Sequence, residues 1–371
     1  MTDRKAAWGT VGFGCVVAAA GAYMYWSREA SRKTILVTGA SGYLGQFVVD
    51  RLLKDAYWKA YRVVGTTHSN KASESIPVGA EGLQLDGTDP EAIRSMLRSL
   101  KPDVIVNCMA ISSPAKCEKI KDLAEKLNSC EALIGAVKTE CPNSLFIHIS
   151  TDQVFSGKGG TETVAEPKSY GGYTESSDPQ PVNWYGRTKL LAENNCKALL
   201  KQNYIILRAS GIYGPPPPRK CKKTGTFLQM VVKMLAAEGK SPFFTEELRS
   251  MVYVDDCVDA ITHFIEDYSP NHKKDKRDQN WGHTDKIYHM GGNGTWSRSE
   301  YAEVVADELK LSKANILRMT RSECKSAWAH TFVSPEDISM NSSKLEEKRG
   351  EKNMSLREGI RDMIEKKTLV V

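Results

Sequence analysis

No two of the nine cysteines are spaced as Cys-x-x-Cys, and no histidine joins them at zinc-ligand spacing. That argues against a thiolate metal site and a disulfide framework. An odd, scattered set suggests reduced thiols and a domain facing the cytosol. Basic residues nowhere interleave with aromatics, so nucleic acid is not an expected partner. A net charge of +6 over 371 residues is modest. The run Arg219-Lys220-Cys221-Lys222-Lys223 follows four prolines, Pro215 to Pro218, and reads as a solvated loop. Internal repeats and long low-complexity tracts are also missing, which excludes solenoids and leaves an ordinary globular chain. Its length suits one large α/β domain plus a smaller lobe.

Charge is also missing from Trp8 to Trp26, nineteen residues in which Thr10 is the one plainly polar member. At about 1.5 Å per residue, a helix of this length nearly spans a bilayer core. Trp8 marks one end and Tyr23, Tyr25 and Trp26 the other. Arg28, Arg32 and Lys33 follow it, which favours a cytosolic main domain. The segment is expected to be a membrane anchor. A cleaved leader or a packed helix are the alternatives, since Gly9, Gly12, Gly14 and Gly21 weaken it.

What is present begins at Lys33. Thr34 to Val37 reads as a buried parallel strand, and it runs into Thr38-Gly39-Ala40-Ser41-Gly42-Tyr43-Leu44-Gly45 and then a helix from Gln46. Strand, glycine turn and helix is the context of a pyrophosphate site. Gly39 would permit the tight turn, Gly42 would let backbone N–H groups reach phosphate, and Gly45 would let helix and strand pack closely. Further strands are expected at 61–67, 83–86, 102–107, 145–151 and 204–209, with helices at 90–100 and 119–138. The end of the second strand carries no acidic residue to hold ribose hydroxyls. Thr66, Thr67, His68, Ser69, Asn70 and Lys71 stand there instead, which favours NADP over NAD. Residues 157–181 are rich in Gly, Ser, Thr and Pro and read as a loop over the site. A helix start is expected near Ser297 to Glu300.

Tyr185 and Lys189 lie in Asn183-Trp184-Tyr185-Gly186-Arg187-Thr188-Lys189, a helical run in which a spacing of four puts both on one face. An ammonium beside a phenol stabilises the phenolate, so Lys189 is expected to lower the Tyr185 pKa and make it a proton donor near neutral pH.

Thr-Gly-x-x-Gly-x-x-Gly with a later Tyr-x-x-x-Lys resembles the extended short-chain dehydrogenase/reductase family, over roughly residues 33 to 365. Within it, Ser150-Thr151-Asp152-Gln153-Val154-Phe155-Ser156-Gly157 and Pro181 to Lys189 resemble the dTDP-4-dehydrorhamnose reductase group, to which the regulatory β subunit of methionine adenosyltransferase is also similar. The resemblance implies a Rossmann-type doubly wound parallel sheet at 31–214, after the N-terminal segment 1–30. It implies a mainly substrate-binding lobe at 215–371, with a return strand to the main sheet near 251–256. It implies cofactor contacts from Gly39, Ser41, Gly42, Tyr43, Leu44, Gly45, Asp86, Cys108, Met109, Ala110, Tyr185 and Lys189. Thr151, Tyr185 and Lys189 would be catalytic, and Arg249 would meet a substrate diphosphate. The dehydratases of the family carry Thr-Asp-Glu where this chain has Thr151-Asp152-Gln153. Gln153 cannot ionise, which favours simple reduction. The expected function is NADPH-dependent reduction of a nucleotide-linked 4-keto sugar. The alternative is an NADP-binding regulatory subunit, with a second copy or a methionine adenosyltransferase catalytic subunit as partner. A membrane-bound reductase of a lipid-like ketone is a further option.

Overall fold

The computed structural model describes residues 32–68, 71–158, 172–221, 225–268 and 286–369. The expected anchor at 8–26 lies outside these. Among the described residues, no helix is long and apolar enough to cross a membrane.

Short β-branched runs build the central sheet. Its strands are β1 (Lys33–Thr38), β2 (Tyr61–Thr67), β3 (Glu81–Gln84), β4 (Val104–Asn107), β5 (Leu145–Thr151), β6 (Tyr204–Ala209) and, much later, β11 (Ile287–Met290). All pair in parallel in the order β3-β2-β1-β4-β5-β6-β11. The order reverses between β1 and β4, which opens a crevice at the C-terminal strand ends.

Helices cover both faces. On one lie α1 (Tyr43–Lys54) and the later helix Val254–Tyr268, with Ile35, Val37, Val106 and Ile147 buried beneath. On the other lie α2 (Pro90–Leu100), α4 (Glu131–Glu140) and α5 (Trp184–Leu200), over Leu36, Ile105, Phe146 and Ile206. Burying such a side chain contributes roughly 1.5–3 kcal/mol, so the two layers supply most of the driving force. Caps fix where helices start. Asp89 accepts from the N–H groups of Glu91 and Ala92, with Pro90 in the first turn. Asn183 Oδ1 accepts from Gly186 N at 2.9 Å.

The single helix expected at 119–138 is two. Helix α3 (Lys121–Asn128) ends before α4 begins, because Cys130 adopts a left-handed φ of 53°.

The return strand also differs from expectation. Val252–Tyr253 (β10) pairs in parallel with Ile212–Tyr213 (β7), outside the main sheet. The chain then turns straight into α7 (Val254–Tyr268), the helix already placed over the sheet; α6 (Phe227–Ala236) precedes it. The strand that rejoins the main sheet is β11, where Ile287 to Met290 align with Ile206 to Ala209. A further core forms where Tyr213 and Tyr253 pack with Leu228 and Val231 of α6, Tyr301 and Val305 of α8 (Arg298–Leu309), and Ile360 of α9 (Leu356–Glu365). Ser297 starts α8 with a capping box, its hydroxyl accepting from Glu300 N.

Candidate active site

The glycine turn takes the form its sequence requires. Gly39 has φ +68°, and a β-carbon there would lie 2.8 Å from the Met109 backbone. One on Gly45 would lie 2.5 Å from the Gly39 carbonyl oxygen. Helix α1 starts at this turn with no acidic residue in its first turn and no side-chain cap from the described residues. Its N–H groups and the positive end of its dipole therefore face the crevice, as an anion site requires.

That crevice is a cleft of about 600 Å³. Ser41, Gly42, Tyr43, Leu44 and Gly45 line one wall. Cys108 and Ala110 enter from the end of β4, Thr151, Asp152 and Gln153 from β5, and Tyr185 from α5. Arg249, Met251, Arg298, Phe332 and Ser334 close it from the C-terminal part of the chain. The sequence reading had not assigned the last four or Ser210 to the site.

Four residues expected to touch the cofactor do not line the cleft surface. Gly39 and Met109 are not cleft-lining; they pack together beneath the turn. Asp86 is exposed, and its carboxylate accepts from Thr88 N and Thr88 Oγ1 at 2.9 and 2.7 Å. It is a turn former in this fold, and those hydrogen bonds hold its carboxyl below the usual range. Lys189 is the fourth, buried and off the cleft surface.

At the end of β2, Thr66 Oγ1 accepts from Gly39 N at 3.2 Å, so Thr66 supports the turn. The buried hydroxyl of Thr67 has no hydrogen-bond partner among the described residues. Thr67 does not line the cleft. Ser69 and Asn70 lie outside the described residues.

Tyr185 and Lys189 share a helix face. Lys189 Nζ is 2.9 Å from His148 Nε2. Burial pushes the Tyr185 phenol up, partly offset by hydrogen bonding with Thr151 and reinforced by the Asp152 charge. Lys189 does not figure among the groups that shift it. Burial also lowers Lys189 itself. The phenol therefore holds its proton at neutral pH and, as the site stands, is a weaker acid than an exposed tyrosine.

Thr151 Oγ1 donates to Asp152 Oδ1 at 3.2 Å and accepts from Gln153 N at 3.2 Å. Ser210 Oγ donates to the other oxygen of Asp152 at 2.8 Å. Burial raises the Asp152 carboxyl, against the pull of Arg249 and these two hydroxyls. Gln153 is held by Asn183, whose Nδ2 donates to its Oε1 at 2.8 Å.

Arg249 is 2% exposed. Its Nη1 donates to the carbonyls of Leu248 and Glu336 at 2.7 and 2.6 Å, and Nη2 to Pro335 at 2.9 Å. Its Nε has no partner among the described residues. Burial and the neighbouring Arg298 bring its pKa down to about 10. Arg298 pairs with Glu247 at 3.4 Å and lies 4.4 Å over the Phe227 ring. This basic wall suits a diphosphate.

One loop differs from the sequence reading. The segment after Gly214 is strapped to the start of α1. Tyr43 OH donates to Pro215 O at 2.8 Å, and Gln46 Oε1 accepts from Arg219 N at 2.7 Å. Cys221 thereby reaches the cleft, whereas Lys222 and Lys223 lie outside the described residues. Of the loop expected over the site, 159–171 are likewise outside. Tyr173 is buried, stacks on Phe155 at 4.1 Å and bridges to Met340, so this stretch docks beside the site.

Comparison with known proteins agrees with this geometry. A profile described as the RmlD substrate binding domain matches residues 33–369. The spore coat polysaccharide biosynthesis protein SpsK of Bacillus subtilis (strain 168) is 27% identical over 289 residues, 78% of this chain and 83% of that protein. Methionine adenosyltransferase 2 subunit beta of Rattus norvegicus is 26% identical over 316 residues, 85% of this chain and 82% of that one. The crystal structure of dTDP-4-dehydrorhamnose reductase from Bacillus anthracis str. Ames in complex with NADP superposes with a TM-score of 0.67 at 21% identity, covering 90% of this chain and 99% of that one. Fold, ordered motifs and a profile spanning nearly the whole described chain agree: this chain belongs to the RmlD substrate binding domain family, within the extended short-chain dehydrogenase/reductase oxidoreductases.

Proposed function

We propose that this chain reduces a nucleotide-linked 4-keto sugar with NADPH. The observation that carries the reading is one cleft shared by the glycine turn, Thr151, Tyr185 and the buried Arg249. The turn would hold the dinucleotide. NADPH, when bound, supplies the hydride. Tyr185 gives its phenolic proton to the developing alkoxide oxygen. Thr151 turns its hydroxyl from Asp152 to the carbonyl oxygen and orients it. The free Nε of Arg249, with Arg298 beside it, meets the substrate diphosphate. Gln153 offers no ionisable group, so the 4,6-dehydration available to a Thr-Asp-Glu site has no base here. The B. anthracis relative, a dTDP-4-dehydrorhamnose reductase with NADP, supports both substrate class and cofactor, with NAD as a second possibility.

A second reading is a nucleotide-binding regulatory subunit. The similarity to methionine adenosyltransferase 2 subunit beta over 85% of this chain favours it. The two readings part on turnover. NADPH oxidation by the purified protein is followed with dTDP-4-keto-6-deoxy sugar and a panel of other ketones. Turnover on the sugar nucleotide supports the reductase. Tight NADPH binding without turnover on any ketone supports the regulatory subunit.

Residues 8–26 would anchor the protein in a membrane with the main domain on the cytosolic side. The uncharged stretch and the basic residues after it support this. Alkaline extraction of membranes and protease protection test it; release into the soluble fraction would refute it.

A further inference from the structure

Gln153 follows Thr151 at the end of β5 and lines the same cleft. Its main chain is already engaged. The N–H donates to Thr151 Oγ1 at 3.2 Å, and the carbonyl lies against Gly186. What remains to face a ligand is the side-chain amide.

Which end of that amide is free follows from Asn183. Asn183 Oδ1 accepts from Gly186 N at 2.9 Å, as the cap of α5. Asn183 Nδ2 lies 3.1 Å from the carbonyl oxygen of Val333. A backbone N–H only donates and a backbone carbonyl only accepts, so two separate main-chain contacts fix which atom of Asn183 is oxygen and which is nitrogen. The other hydrogen of its NH₂ group goes to Gln153 at 2.8 Å, and the atom that receives it is Oε1. Nε2 is then the arm turned away from Asn183. It carries two N–H groups and has no hydrogen-bond partner among the described residues.

Asn183 itself is buried. It joins three pieces of the site: the helix that carries Tyr185, the strand end that carries Thr151 and, through Val333, the loop whose Phe332 and Ser334 line the cleft. The Gln153 amide is thereby oriented before any ligand arrives, which lowers the entropy lost on binding.

We propose that Gln153 is a specificity-determining residue: Nε2 donates to a hydroxyl on the carbon beside the reacting carbonyl, so the site selects α-hydroxy ketones. This rests on the reductase reading, in which Thr151 and Tyr185 take the carbonyl oxygen. In a 4-keto sugar the neighbouring oxygen is the 3-hydroxyl, and donors close together on one strand end can take one oxygen each. A neutral amide suits the place. The carbons flanking a ketone carry acidic hydrogens, and a carboxylate beside them could remove one. An amide is no base near neutral pH. Gln153 therefore reads the hydroxyl and leaves the neighbouring C–H bond intact.

Binding tests this without turnover. The full-length protein is saturated with NADP⁺, so that no hydride is on offer. It is then titrated by calorimetry with dTDP-4-keto-6-deoxy sugar and with the 3-deoxy counterpart. The wild type should bind the 3-hydroxy ketone at least about tenfold more tightly. Gln153→Met keeps the side-chain length and removes the donor, and the ratio should fall to near one. Asn183→Ser keeps a helix cap but releases the amide, and the ratio should fall partway. Equal affinity for the two ketones in the wild type would overturn the proposal, with no variant needed. A preference that survives intact in Gln153→Met would overturn it too. NADPH turnover, measured alongside, separates this proposal from the reading beneath it. Turnover without preference would remove Gln153 and leave the reductase. A preference that depends on Gln153, in a chain without turnover, would keep the hydroxyl contact and remove the reductase. Binding of neither ketone would overturn both.

Discussion

Gly186 in the first turn of α5 lies so close to Gln153 that a β-carbon there would sit 2.0 Å from the Gln153 carbonyl oxygen. This contact seats the helix that carries Tyr185 directly on the strand end that carries Thr151. Gly186→Ala must push the two apart. Overpacking of this kind costs about 1–3 kcal/mol. We expect a lower unfolding midpoint in urea and, in the same protein, weaker turnover with NADPH affinity retained. Wild-type stability in this variant would contradict the contact.

The glycine turn makes a separate prediction. Gly39→Ala places a methyl group against the Met109 backbone in a left-handed conformation that alanine disfavours. NADP(H) affinity should fall at least about tenfold, equivalent to roughly 1.4 kcal/mol, by titration calorimetry. Unchanged affinity would place the dinucleotide elsewhere.

Arg208 and Glu193 form a fully buried bidentate pair between β6 and α5. Removing one partner strands the other charge, at a cost of about 3–5 kcal/mol. Arg208→Met should therefore unfold far more readily than Arg208→Met with Glu193→Gln. A double-mutant cycle in denaturant measures the difference, and additive effects would show that the pair is not coupled.

Asp256, at the start of α7, is pushed up to about 7 by burial, against a hydrogen bond from Met354 N and the charge of Arg349. An acid whose pKa is raised in the folded state binds its proton more tightly there. Its contribution to stability is complete below the unfolded pKa, near 4, and is lost as pH rises through 7. The difference in urea midpoint between pH 5 and pH 8 should shrink in Asp256→Asn. An unaltered pH dependence would assign it to other groups.

Much of this architecture was legible in local sequence. The apolar runs of β1, β2, β5 and β6 and the proline-led start of α2 announce themselves by composition. The glycine turn does so by spacing. The return strand did not, because β11 is only four residues long and follows a charged stretch, while Val252–Tyr253 looks equally strand-like. The break between α3 and α4 hides in one left-handed cysteine that no residue preference marks. The partner of Lys189 was hidden for a different reason. Helical spacing shows which side chains share a face, but it does not show what the neighbouring strand presents to that face. A histidine interrupting the apolar run Leu145 to Ile149 was the available signal.

The most direct test of the central claim compares NADPH-dependent reduction of dTDP-4-keto-6-deoxy sugar by the wild-type chain and by Tyr185→Phe, with NADPH affinity measured on both. The account predicts wild-type turnover and a loss of about 10²–10⁴-fold in kcat in the variant, with NADPH binding retained. Equal turnover in the two proteins would remove Tyr185 as the proton donor. Binding without turnover in the wild type would contradict the reductase itself.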